Sequence, residues 1–207
     1  TDKYIETLTD DVKIEHNGIT WKNMQYLWKL FTKENEIPNV VYSANLKTLL
    51  ITNFNIHYNE KEDIFIGITS KHLPLVSLFN HFWDEHMSMT DDSYDFEIDE
   101  LTTIFKKQLV ASKYKTKVTD KYILNLIKHY YTNVVIENDK YILDIKCDLW
   151  DKTADIIKTI ELYKVNTDCK MQIKSINEIY DYYCKQHNNQ YIVSKRFFDK
   201  FISNFHI

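Results

Sequence analysis

Seven lysines fall between positions 106 and 128, namely Lys106, Lys107, Lys113, Lys115, Lys117, Lys121 and Lys128, opposed in that span only by Asp120. Ammonium groups at this density neutralise backbone phosphates, a contact that is strong at low salt and blind to base sequence. A second set, Lys195, Arg196 and Lys200, lies near the C-terminus and avoids the aromatic side of a helical pattern. Tyr114, Tyr122 and Tyr191 flank the two sets, with Tyr130, Tyr131 and Tyr182 nearby. A ring beside lysine can stack on an unpaired base, at about 1–3 kcal/mol per base. The plainer alternatives are a solvated loop between two helices and tyrosines packed in a core.

Negative charge gathers just upstream: Asp84, Glu85, Asp91, Asp92, Asp95, Glu97, Asp99 and Glu100 occur with no Lys or Arg among them. Paired carboxylates serve metal or acid–base chemistry only on converging elements, and no motif places these so, which leaves a solvated acidic linker. His72, His81 and His86 cluster near Glu85, but the step of five from His81 to His86 does not set both on one helical face. Cys147, Cys169 and Cys184 are odd in number and form no C-x-x-C, so neither a disulfide framework nor a thiolate zinc site is expected. Cys184 has His187 three residues on, yet nothing orients them as nucleophile and base. Phosphate-loop, dinucleotide, serine-elbow and H-E-x-x-H patterns are all absent, so no catalytic residue, metal or cofactor is assigned.

The elements that would position these residues follow from apolar spacing. Thr20 caps a helix carrying Met24, Leu27, Trp28 and Phe31, stopped by Pro38. A second helix is expected over about 41–52 with Leu46, Leu49 and Leu50 inward, then a short apolar run of Ile64, Phe65, Ile66 and Ile68 around Gly67 that reads as a strand, with a buried loop as the alternative. Pro74 opens a helix with Leu75, Leu78, Phe79, Phe82 and Trp83 on one face. Tyr94, Phe96 and Ile98 alternate with Asp95, Glu97 and Asp99, the period of a half-buried strand. Helices follow on Leu101, Ile104, Phe105 and Leu109, and on Ile123, Leu126, Ile127 and Tyr130 after Thr119. Val134–Ile136 and Tyr141–Ile145, separated by Glu137, Asn138, Asp139 and Lys140, make a hairpin. Strand, helix, helix, hairpin is the winged-helix order. A linking helix over 149–163 carries Trp150 as an anchor between modules, Ser175 and Glu178 form a capping box, and Ser194 caps a helix bearing Phe197, Phe198, Phe201 and Ile202.

Composition bounds the class. Apolar residues at 44% and charged residues at 27% fit a folded globular chain, and only two Gly and two Pro argue against an all-β sandwich. The expected fold is mainly α with short β-hairpins, an α+β arrangement. A tail or lead-in spans 1–18, a helical region 19–90, a winged-helix-like module 91–148 and a helix-turn-helix-like module 149–207. No apolar run approaches the roughly 20 residues that span a bilayer, and no signal peptide is visible, which points to an intracellular protein without a membrane partner. Arg196 is the one arginine among 26 basic residues, a bias that AT-rich coding DNA imposes. A start at Thr1 and an end just after an amphipathic segment read as a piece of a longer polypeptide.

The stretch SINEIYDYYCKQHNNQYIVSKRFFDKFI at 175–202 resembles the C-terminal winged-helix segment of viral and phage primase-helicases of helicase superfamily III. YDFEIDELTTIFKK and IENDKYILDIKCDLWDK are similar to C-terminal regions of such proteins from large nucleocytoplasmic DNA viruses. The resemblance covers about half the chain and leaves residues 1–90 outside it. It carries neither primase carboxylates nor nucleotide-binding residues, so what it implies is a DNA-binding accessory region. The expectation is a non-catalytic nucleic-acid-binding fragment, DNA favoured over RNA, within a larger viral replication machine of the host cytoplasm or viral factory. A protein adaptor and a single-strand binder are the rival readings.

Overall fold

The computed structural model describes residues 4–8, 18–38, 41–53, 57–111, 117–166, 175–187 and 191–204. Helices and short antiparallel strands alternate along them, so the chain forms the expected α+β mixture. Two compact units result: residues 1–81 with 128–131, and residues 82–127 with 132–207. The segments 91–148 and 149–207 therefore lie together in the second unit, apart from 128–131.

In the N-terminal unit β1 (Glu6–Thr7) pairs with β5 (Ile68–Thr69), while β2 (Gly18–Thr20), β4 (Ile64–Ile66) and β3 (Tyr58–Asn59) form an antiparallel sheet in the order β2-β4-β3. The chain's two glycines both serve this region. A Cβ at Gly18 would lie 1.8 Å from the Phe65 carbonyl oxygen, and Gly67 turns the chain between β4 and β5 at φ 75°. Tyr4 and Leu8, in what the sequence presents as a polar lead-in, are buried. Thr20 caps α1 (Trp21–Glu34) by accepting the Asn23 N–H at 3.3 Å, and Met24 and Leu27 face inward. On α2 (Ser43–Asn53) Leu46 and Leu50 are buried, but Leu49, expected beside them, is exposed. α3 (Pro74–His86) contributes to both units and buries Val76, Phe79, Phe82 and Trp83, with Leu75 and Leu78 only half-buried.

The C-terminal unit contains the strand, helix, helix, hairpin order, save the last turn of its second helix: β7 (Asp95–Glu97), α4 (Ile98–Ala111), α5 (Asp120–Tyr130, of which 128–130 fall in the N-terminal unit), β8 (Ile136–Glu137) and β9 (Tyr141–Leu143). β7 lies against β9 rather than β8, giving the sheet order β7-β9-β8 with Phe96 and Ile136 both opposite Ile142. Asn138 and Asp139 turn the hairpin with φ 54° each, the left-handed pair that matches strand twist and that Asx residues tolerate. Thr119 caps α5 through the Tyr122 N–H at 3.2 Å.

The acidic stretch departs from the expected solvated linker. Its residues Met87–Met89 form β6, paired with β10 (Ile145–Cys147), and both Asp95 and Glu100 are buried. Met-Ser-Met carries no strand signature of its own, and its partner lies more than fifty residues away. Three further helices complete the unit: α6 (Lys152–Asn166), α7 (Ile176–Gln186) and α8 (Lys195–Asn204). Ser175 and Ser194 cap α7 and α8 by accepting N–H groups from Glu178 at 3.3 Å and Phe197 at 3.4 Å. Tyr183 accepts the Val193 N–H at 3.1 Å and Tyr180 donates to the Val193 carbonyl at 3.0 Å, so the approach to α8 is pinned on α7. No helix among the described residues is long and apolar enough to cross a membrane.

Candidate nucleic-acid interface

The two basic sets meet different surroundings. On α8, Lys195 pairs with Asp199 one turn on. The Arg196 guanidinium meets Glu137 at 2.5 Å and Asp95 at 3.7 Å and lies 4.1 Å above the Tyr141 ring. Lys200 donates to the Ser93 carbonyl at 2.6 Å and faces Asp95 at 3.5 Å. These side chains keep only 36–39% of their surface. The aromatic face of α8 is buried as expected; Arg196 and Lys200 are turned onto the β7-β9-β8 sheet, where Asp95 on β7 and Glu137 on β8 stand, while Lys195 is answered within its own helix.

Lys106, Lys117 and Lys121 are exposed, and no ion pair among the described residues holds any of them. They sit on the second half of α4, before Thr119 and in the first turn of α5. Lys107 is exposed too, with its ammonium 3.5 Å over the Tyr191 ring, which in turn packs on Trp150 at 5.1 Å. Tyr191 is thus already sandwiched. Tyr122 is half-buried in the first turn of α5. Lys128 is half-buried and belongs to the N-terminal unit. Lys113, Tyr114 and Lys115 lie outside the described residues. Beyond its first turn α5 offers no open face, since residues 123–127 are all buried. Only helix-start lysines can reach a ligand there, which suits phosphate contact rather than base reading.

Elsewhere in the C-terminal unit lies a group that sequence reasoning missed. Lys152 opens α6 and is 0% exposed. Its ammonium donates to Glu100 at 2.7 Å and to the Asp95 carbonyl at 2.7 Å, and sits 3.9 Å above Phe96 and 4.6 Å above Phe197. Tyr94 accepts the Lys152 backbone N–H at 2.8 Å. Glu100 also accepts the Glu97 N–H at 2.7 Å and the Ser194 N–H at 2.6 Å. One carboxylate therefore accepts N–H groups at the starts of α4 and α8, where helix dipoles favour negative charge, and meets the first side chain of α6. Burial pushes the Glu100 carboxyl up and the Lys152 ammonium down, each opposed by the charge of the other. Removing either would strand a buried charge.

Beside this hub a cleft of about 570 Å³ opens on the C-terminal unit. Tyr94, Trp150 and Phe197 form its aromatic side, and Lys146, Lys200 and three aspartates its polar side. Among the described residues no group of three His, Cys, Asp or Glu could hold a metal ion. His86 pairs with Asp148 at 2.9 Å, and His72 packs on Tyr4 at 5.0 Å. Cys147 is buried, which pushes its thiol up and away from reactivity; Cys184 is a free, half-buried thiol, and Cys169 lies outside the described residues.

No family model matches the chain. No curated protein and no solved structure matches it either.

Proposed function

We propose that the C-terminal unit is a winged-helix-type, non-catalytic nucleic-acid-binding module of a larger replication protein of a large DNA virus. In that reading α4 and α5 are the helical pair, β8 and β9 the wing, and duplex DNA the favoured ligand. The observation that carries it is the position of β7 beside β9 in a strand-helix-helix-hairpin chain, with Lys106, Lys107, Lys117 and Lys121 exposed on the second half of α4 and at the approach to and start of α5, in no ion pair among the described residues. Lys106, Lys107, Lys117 and Lys121, with Lys113 and Lys115 between them in sequence, contact backbone phosphates. Lys195, Arg196 and Lys200 leave the ligand set, because their charges are answered within the unit.

Binding of this kind is salt-dependent and weakly selective. The chain's single arginine, the residue suited to bidentate contact with guanine, is committed to Glu137 and Asp95. That commitment also favours the second reading, a protein adaptor, over a sequence-specific regulator. Titration of a labelled duplex across a salt series tests the proposal. Replacing Lys106, Lys117 and Lys121 by Gln flattens the plot of log affinity against log salt by about 0.9 for each phosphate no longer neutralised. An unchanged slope in a folded triple variant refutes their role.

A further inference from the structure

We propose that the cleft between the 88–94 segment, the 146–153 segment and α8 binds the side chain of a lysine or arginine carried by a partner peptide. This goes beyond the nucleic-acid reading and uses different residues: Lys106, Lys117 and Lys121 do not line the cleft.

Charge sets the sign of the ligand. Asp92, Asp148 and Asp151 line the cleft against Lys146 and Lys200. Both ammonium groups are engaged, Lys146 by Asp92 and Lys200 by the Ser93 carbonyl at 2.6 Å and Asp95 at 3.5 Å. A phosphate or carboxylate entering here meets an excess of carboxylate and no open cation. An ammonium or guanidinium meets the same carboxylate excess as an attraction. The Asp92 and Asp148 side chains are 68% and 65% exposed, and their ionic partners, Lys146 and His86, engage Oδ2 of Asp92 and Oδ1 of Asp148. Asp151 uses Oδ1 for the Thr153 hydroxyl at 2.6 Å and the Ala154 N–H at 2.9 Å.

Apolar lining sets the rest of the chemistry. The carboxylates do not converge closely enough to chelate a metal. Tyr94, Trp150 and Phe197 are nearly buried and already hold the Lys152 ammonium within 5.7 Å of their rings on the inner side. Their cleft-facing edges therefore serve as apolar floor rather than as a cation seat. A floor of that kind with carboxylates at the rim matches a side chain whose methylene stem is apolar and whose head is charged. Lysine and arginine have that form, and about 570 Å³ leaves room for the neighbouring main chain.

The test uses the full 207-residue chain and fluorescein-labelled tetra-lysine and tetra-arginine peptides, with tetra-glutamate as control, followed by anisotropy at low salt. The basic peptides bind and tetra-glutamate does not. Asp92→Asn with Asp148→Asn weakens binding at least tenfold. Asn204→Trp, which fills the exposed rim and alters no charge, weakens it comparably; Ser88→Trp plugs the opposite wall should the first not fold. Lys106→Gln with Lys117→Gln and Lys121→Gln leaves peptide affinity unchanged while altering oligonucleotide binding. Absence of basic-peptide binding overturns the proposal. So does a plugged, folded variant that binds as tightly as the unaltered chain, since attraction would then belong to the acidic surface at large.

Discussion

The lysines at 106–121 and the cations of α8 are chemically alike and differ in what faces them. The first set lies on the second half of α4 and at the approach to and start of α5, where no carboxylate of the described residues reaches it. The second is met by Asp95, Glu137 and Asp199. Exposure on a helical wheel is therefore not freedom to bind. A cation already answered by a neighbouring carboxylate must give up that contact before it can take a phosphate, so the two sets make unequal contributions to any anionic ligand.

The largest effect is expected at the buried Lys152–Glu100 pair, which adjoins the Asp95 that answers two of the α8 cations. Lys152→Met leaves Glu100 buried without its cation, and loss of one partner from a buried ion pair costs about 3–5 kcal/mol. Urea denaturation should show a loss of unfolding free energy of that size, with Glu100→Gln similar and the double variant less than additive. Additive losses would mean that the two side chains do not act as a pair. A second large loss is expected in the N-terminal unit, where Gly18→Ala drives a methyl into the Phe65 carbonyl and should lower Tm by several degrees without touching either basic set.

Smaller effects sharpen the contrast. Arg196→Gln removes a part-exposed ion pair and a ring contact with Tyr141, together about 1 kcal/mol, and should reduce stability more than nucleic-acid affinity. Asp151 caps the start of α6, and the Thr153 hydroxyl and Ala154 N–H hold its carboxyl below the ordinary value of 3.8. A depressed carboxylate stabilises the fold above the unfolded-chain pKa and loses that contribution as pH falls through the folded one. Asp151→Ala should thus cost about 1 kcal/mol at neutral pH and less at the acid end of a pH series, where only the neutral acid is left to cap. A constant difference across the series would mean that the charge adds nothing to the cap.

Local signals in the sequence carried the elements. Thr20, Thr119, Ser175 and Ser194 each act as the cap that their residue type and following apolar pattern predict. The Glu137–Lys140 turn is equally local, since Asn and Asp tolerate the left-handed pair it needs. Contacts made over long sequence distances were not legible. Lys152 looks like an ordinary solvated first-turn lysine until Glu100, 52 residues earlier, is brought beneath it. Asp95 occupies the outward phase of an alternating strand, yet α8 covers that side and buries it. The acidic run hides β6 because its pairing depends on β10 rather than on its own side chains. For the proposed binding surface, charge spacing picked out both basic sets, and only tertiary placement separated them.

The most direct test sets the two basic sets side by side: duplex affinity across a salt series for the unaltered chain, for Lys106→Gln with Lys117→Gln and Lys121→Gln, and for Lys195→Gln with Arg196→Gln and Lys200→Gln. The expected result is a drop in affinity and a slope flattened by about 2 to 3 for the first variant, against a slope changed by less than about 1 for the second. A folded α8 variant that forfeits the greater share of the salt dependence would contradict the assignment of phosphate binding to the lysines at 106–121.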